Sequence, residues 1–140
     1  MSAITQGIYN LLNADTTLTN DLATYENKAA IFTTRPVPAD TGMPYVVLDG
    51  SIAQEPDDTK TTRGRESFLD IFAYGESTGS AVVIERISER IRALLHRQSS
   101  NITITGFSVL HSNVSGPITA PTDDEYYGRV VTVRLMILEN

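Results

Sequence analysis

The chain contains no cysteine, which excludes disulfides, thiolate nucleophiles and cysteine-ligated metal sites. It is also short of cations: 11 lysines and arginines stand against 17 aspartates and glutamates, for a net charge of −6 and a pI near 4.8. A protein that grips duplex DNA carries a positive footprint, because neutralising phosphates releases counterions. This balance has the wrong sign for that task, and suits a protein past which nucleic acid slides without sticking. No apolar run approaches the ~20 residues that span a bilayer. The opening stretch, MSAITQGIYNLLNADTTL, lacks the basic n-region and continuous apolar h-region of a secretory signal. The expectation is a soluble protein, intracellular at synthesis, with no membrane contact.

What is present is ordinary for a globular chain. Of the 140 residues, 41% are apolar and 20% charged, which argues against wholesale disorder. One domain, 1–140, is the simplest reading, large enough to bury about 68% of its unfolded surface.

The segment 78–97, TGSAVVIERISERIRALLHR, organises the rest. Val83, Ile84, Ile87, Ile91, Leu94 and Leu95 recur at the spacing of one buried helix face. Glu85, Glu89, Arg92 and His96 fall on the opposite side. Thr78 or Ser80 supplies an N-cap, and Arg97 a cation in the last turn, where the helix dipole favours one. Ser2 can cap a first helix, with Ile4, Ile8, Leu11 and Leu12 as its stripe, although Gly7 inside it costs ~1 kcal/mol relative to Ala. A short turn capped by Asp15 or Thr19 buries Leu18 and Leu22.

Strand-like segments surround these helices. Ala29 to Phe32 reads as a short strand, followed by the proline-rich connection RPVPADTGMP, and Tyr45 to Asp49 as another. Gly50 to Gly64 is polar and aperiodic, and reads as a long mobile loop. In the strand Arg65 to Tyr74, Leu69, Ile71 and Ala73 face one way, while Phe68, Asp70, Phe72 and Tyr74 face the other. A purely solvated face would not collect three aromatics. From Ile102 to His111 the apolar phase slips at Gly106, which predicts a β-bulge there. Ser112 to Glu125 reads as a second projection, and Tyr126 to Leu138 as the last strand, with Val131, Val133, Leu135 and Ile137 on one face and Val130, Thr132, Arg134 and Met136 on the other. The fold class implied is α+β: a mainly antiparallel sheet of four to five strands, two helices packed on one face, and long protruding loops.

Nothing in the chain spells out catalysis, and no cofactor or metal is expected. His96 and His111 lie in no H-x-x-x-H or H-E-x-x-H arrangement and read as surface or strand-end histidines. Asp57-Asp58 and Asp123-Asp124-Glu125 lack the alternating ligands of a calcium loop and read as solvated loop tips. Lys60, Arg63 and Arg65 form a small basic stretch that either touches a partner or balances Glu55, Asp57, Asp58 and Glu66. Arg86, Arg90 and Arg97 align on one flank of the main helix, as snorkelling stems or as partners for carboxylates on another subunit. There is no G-x-S-x-G elbow and no phosphate-binding P-loop.

The ordered layout carries a resemblance. A short helix IYNLLNADTTL precedes a proline-containing loop entering MPYVVLD. ESFLDIFAY then turns through Gly/Ser into a helix ending IRALL, and a tyrosine-rich entry leads to GRVVTVRLMIL. This pattern resembles the tail-completion or tail-terminator proteins of long non-contractile-tailed phages and phage-derived gene transfer agents. It departs from that family at Tyr74, where members often carry Trp, and in the two long loops, which vary between members.

The resemblance implies a non-catalytic virion protein at the head-proximal end of a tail, assembled in a bacterial host's cytoplasm. Six copies would form a ring that caps the tail tube, stops its polymerisation and docks the head connector, with DNA passing through the channel without tight binding. Phe68, Phe72, Tyr74 and Arg134 would then face a neighbouring subunit. The loop residues Asp57, Asp58, Lys60, Arg63, Arg65, Asp123, Asp124 and Glu125 would reach the tube or the connector. Two other readings stay open: a head-side connector or stopper, and a ligand-binding or hydrolytic α+β domain with a closed cavity near Phe72, Asp70 and Arg134.

Overall fold

The computed structural model of the chain describes residues 3–35, 37–48, 53–56, 64–76, 81–119 and 126–140. In chain order these hold α1 (Ala3–Ala14), α2 (Thr16–Thr19), β1 (Thr24–Tyr25), β2 (Lys28–Ala29), β3 (Ile31–Phe32), β4 (Tyr45–Leu48), β5 (Ala53–Pro56), β6 (Gly64–Glu76), α3 (Val82–Leu95), β7 (Phe107–Thr119) and β8 (Tyr126–Glu139). The class is the expected α+β. The main sheet runs β3-β4-β6-β8-β7, with β5 also paired to β6. β3 lies parallel to β4 and every other pairing in the sheet is antiparallel.

The two long strands β6 and β8 are the spine, paired without interruption from Gly64↔Leu138 to Glu76↔Tyr126. Their alternation separates two faces, as the sequence indicates. Leu69, Ile71, Ala73, Val131, Val133, Leu135 and Ile137 are buried on one side, under Ile4, Ile8 and Leu12 of α1 and Ile84, Ile87, Ile91 and Leu95 of α3. Each such fully buried Leu or Ile contributes about 1.5–3 kcal/mol by leaving water. Gly7 is explained by this packing: a Cβ there would stand 2.5 Å from the Thr103 carbonyl oxygen, so only glycine lets α1 approach that backbone.

Several boundaries differ from the sequence reading. α3 is shorter than 78–97. Thr78 and Ser80 lie outside the described residues, and Ala81 holds the N-cap position with no side-chain hydrogen bond. Val83 is exposed rather than packed. His96 leaves helical geometry with ψ 118°, so Arg97 falls beyond the last turn, with φ 53°. Asp15 does cap α2, accepting the Leu18 amide at 2.9 Å, and Leu18 and Leu22 are buried.

The strand expected over Ala29 to Phe32 is broken at Ala30. β2 folds back on β1, β3 joins β4, and Ala30 exchanges backbone bonds with Ala23 and Val46. Within the stretch 50–64 expected to be loop, β5 pairs along β6 from Ala53↔Phe68 to Pro56↔Arg65. It occupies the edge of β6 that β4 leaves vacant beyond Leu48↔Ile71. A polar, aperiodic segment becomes a strand there because an open ladder is available to it.

Gly106, at φ +87°, is not a bulge but the bend of a tight turn, in which the Phe107 amide donates to the Ile104 carbonyl. The bulge comes later: β7 slips register between Val109 and His111, and again between Ser115 and Ile118. The first slip flips the inward set from Val109 to Ser112 and Val114. Residues 112–119 are therefore strand, not projecting loop.

Candidate functional site

The face of the sheet turned away from the helices gathers the four residues expected to face a neighbouring subunit, Phe68, Phe72, Tyr74 and Arg134. Cross-strand register places Val47, Phe72, Val130 and Ile118 in one row. Below it come Asp70, Thr132 and Ser115, then Phe68, Arg134 and Asn113, then Glu66, Met136 and His111.

The upper part of this face is covered by the chain's own loop. The Arg35 guanidinium carbon lies 4.6 Å from the Phe72 ring centroid and 5.6 Å from that of Tyr74, and Arg35 Nη2 donates to the Tyr74 hydroxyl at 3.2 Å. Val37 packs on the same cluster. A run of ring contacts, Tyr25–Phe32–Tyr45–Tyr74–Phe72, spaced 5.5–6.1 Å, extends sideways to the β3 edge. Tyr74 is consequently only 6% exposed, and little of it is left for a neighbour. Phe68 and Phe72 remain half-buried.

Four polar groups of the lower face are engaged with one another. Thr132 Oγ1 donates to Asp70 at 2.7 Å, and Arg134 pairs with Glu66. Arg65 sits within β6 rather than on a loop tip; it pairs with Glu139, and its guanidinium lies 5.1 Å from the Phe107 ring centroid. Asp57, Asp58, Lys60, Arg63, Asp123, Asp124 and Glu125 lie outside the described residues.

Arg86 and Arg90 find partners within the chain. Arg86 is bidentate to Asp21 at 2.8 and 2.9 Å, and Arg90 to Asp15 at 2.7 and 2.9 Å. These bonds hold both carboxyls below their ordinary range, the guanidinium hydrogen bond being the main cause in each case. Sequence reading missed the two pairs because Asp15 and Asp21 stand on a different element from α3.

His96 Nδ1 accepts the Val114 amide at 3.0 Å. Its pKa is lowered, first by burial and then by Arg92, Arg97 and His111. Among the described residues no group of three or more His, Asp or Glu side chains is placed to hold a metal ion, and no helix is long and apolar enough to cross a membrane.

Exposed apolar side chains concentrate at one end of the sheet, where β6 finishes, β8 starts and α3 starts. Val82 is 61% exposed, Ile118 63% and Tyr127 38%. Arg129 lies over the Tyr127 ring and reaches Glu85 on α3, drawing these elements together. Ile118 and Tyr127 carried no sequence signal, since each sits in an alternating strand whose register decides exposure.

This arrangement of helices and sheet has a known counterpart. The fold is similar to that of a chain in the virion of a native gene transfer agent particle. The two share a TM-score of 0.78 over 96% of this chain and 94% of that one, at 15% sequence identity. At that identity the likeness is one of fold, and it spans the virion chain almost end to end. No protein-family model and no curated protein sequence matches the chain.

Proposed function

We propose that the chain is a structural protein of a phage-like particle and, within it, a tail terminator. Copies close into a ring, six on the pattern of the tail-terminator family, which caps the tail tube, stops its growth and docks the head connector. The observation that carries this reading is the whole-length likeness to a gene transfer agent virion chain, reached independently of the ordered sequence pattern that resembles the tail-terminator family.

The surface supports an assembly role over a catalytic one. Asp70 and Arg134, the polar groups a pocket on the sheet face would use, are engaged by Thr132 and Glu66. Four of the five exposed large apolar side chains among the described residues, Val82, Val83, Ile118 and Tyr127, lie instead at the sheet end, where a neighbouring protein would cover them. A heterologous contact whose rotation closes gives a ring and one that does not gives a filament, so closure itself supplies the stop. The net charge of −6 keeps DNA free to pass through the channel.

Electron microscopy of particles lacking the protein tests the assignment. Overlong or ragged tails are expected of a missing terminator. Normal but unattached tails would instead make it a head-side connector or stopper. Intact particles with normal tails would reject both.

A further inference from the structure

Of the three arginines that the sequence aligns on the main helix, Arg86 and Arg90 on α3 are answered by carboxylates of the same chain, and Arg97, just past its end, is not. Arg97 occupies the turn that closes α3 against the outer edge of β7: its amide donates to the Ser112 carbonyl at 2.9 Å, and the neighbouring His96 ring accepts the Val114 amide. Arg92 lies one turn back on α3, and His111 is exposed on β7 beside Ser112. Among the described residues Arg92, Arg97 and His111 have no carboxylate partner. A chain of net charge −6 thus keeps an unneutralised cationic corner at one margin of its sheet.

The opposite margin has a complementary form. The β1–β2 hairpin stands beside β3, and a surface concavity of about 390 Å³ opens there, walled by Tyr9, Tyr25 and Phe32 with Glu26 on its lining. The Tyr25 hydroxyl has its pKa raised, first by burial and then by the nearby charges of Asp40 and Glu26, so two carboxylates stand close to that ring. Lys28 lies on the same wall, on the strand paired to Tyr25. Electron-rich ring faces beside carboxylates are the surroundings a planar guanidinium takes.

We propose that the β7 margin of one copy docks on the β3 margin of the next, with the Arg97 turn entering the concavity at Tyr25 and Glu26, close to Asp40. The two patches differ and lie at opposite ends of the strand order, so the contact is head-to-tail, the kind that a closed ring requires. Like-charged copies repel wherever carboxylates face one another, and this pairing sets opposite signs together instead. The inference rests on the ring reading given above, because it names the surfaces through which that ring would close.

The test is a charge swap. Self-association is measured by sedimentation velocity, and incorporation into particles by blotting, for the native protein, R92E/R97E, E26K/D40K and an equimolar mixture of the two variants. Circular dichroism confirms that each variant is folded. Either reversal alone is expected to weaken assembly about tenfold or more. The mixture restores it, because alternating copies then present opposite signs at every contact. Assembly that both reversals leave unchanged, or that the mixture of folded variants does not recover, overturns these surfaces and leaves the ring reading standing. A native protein that stays solitary in solution and never enters a particle overturns both.

Discussion

At Glu26 and Asn27 the backbone turns through φ 49° and 67°, the left-handed pair that a two-residue hairpin turn demands. Asn tolerates that region, whereas Glu pays about 1 kcal/mol for it. Glu26→Asn is therefore expected to raise stability by up to about 1 kcal/mol, read as a higher urea midpoint with an unchanged slope. His96 makes the second prediction at this scale. Its ring accepts the Val114 amide and is surrounded by Arg92 and Arg97 beside α3's end and by His111 on β7, so the fold favours the neutral imidazole. A folded pKa lowered below the unfolded value near 6.5 contributes stability that is fully present above that value. That stability is lost as pH falls through the folded pKa. Thermal melts between pH 7 and 5 should show the melting temperature falling, and His96→Gln should flatten the fall. An equal fall in the variant would place the cause elsewhere.

Among the elements, α1 and α2 show how a local choice is fixed by a distant neighbour. Gly7 lowers helix propensity, yet Gly7→Ala is expected to destabilise by about 1–3 kcal/mol, because its Cβ meets the Thr103 carbonyl at 2.5 Å. A gain in stability would show that α1 can shift without cost. Asp15 does two things at once, capping α2 and pairing with Arg90. Asp15→Asn keeps a cap oxygen and loses the charge, while Asp15→Ala loses both and costs about 1 kcal/mol more. The lowered carboxyls of Asp15 and Asp21 add stability above about pH 4 that is lost as pH falls through their folded values. In Asp15→Asn the Asp15 share of that acid loss should vanish. The stripe of α3 and the alternation of β6 and β8 were legible because each repeats one period over many residues. β5 and the second half of β7 were not. β5 has no alternation of its own, and β7 reverses its inward set at the Leu110 bulge.

For the whole molecule the decisive quantity is association. If copies close into a ring, folding is coupled to assembly, and the melting temperature rises with protein concentration by mass action. A melting temperature constant over a hundredfold range of concentration would mean that the isolated protein is a monomer, which rings only on a tail tube if at all. Strong salt should weaken assembly if the cationic β7 margin meets carboxylates, whereas contacts dominated by Val82, Ile118 and Tyr127 would respond little. The lower sheet face, expected from Phe68 and Arg134 to be a contact surface, presents the Arg134–Glu66 ion pair and the Thr132–Asp70 hydrogen bond, both closed within the chain. The two sheet margins carry more of its unmatched groups.

What the sequence determined by itself was everything that depends on repetition along the chain: the α+β class, the buried stripe of the main helix, and the two faces of the long strands. These follow from backbone periods of 3.6 and 2, which a residue reads from its near neighbours. Only the tertiary structure decided which strand took the vacant edge of β6 and where β7 changed phase. It alone decided that Arg86 and Arg90 would be neutralised while Arg97 would not, and that Arg35 would cover the aromatic face. Each of those outcomes depends on what stands opposite in space, and residues far apart in the chain carry no local mark of the partner they will meet.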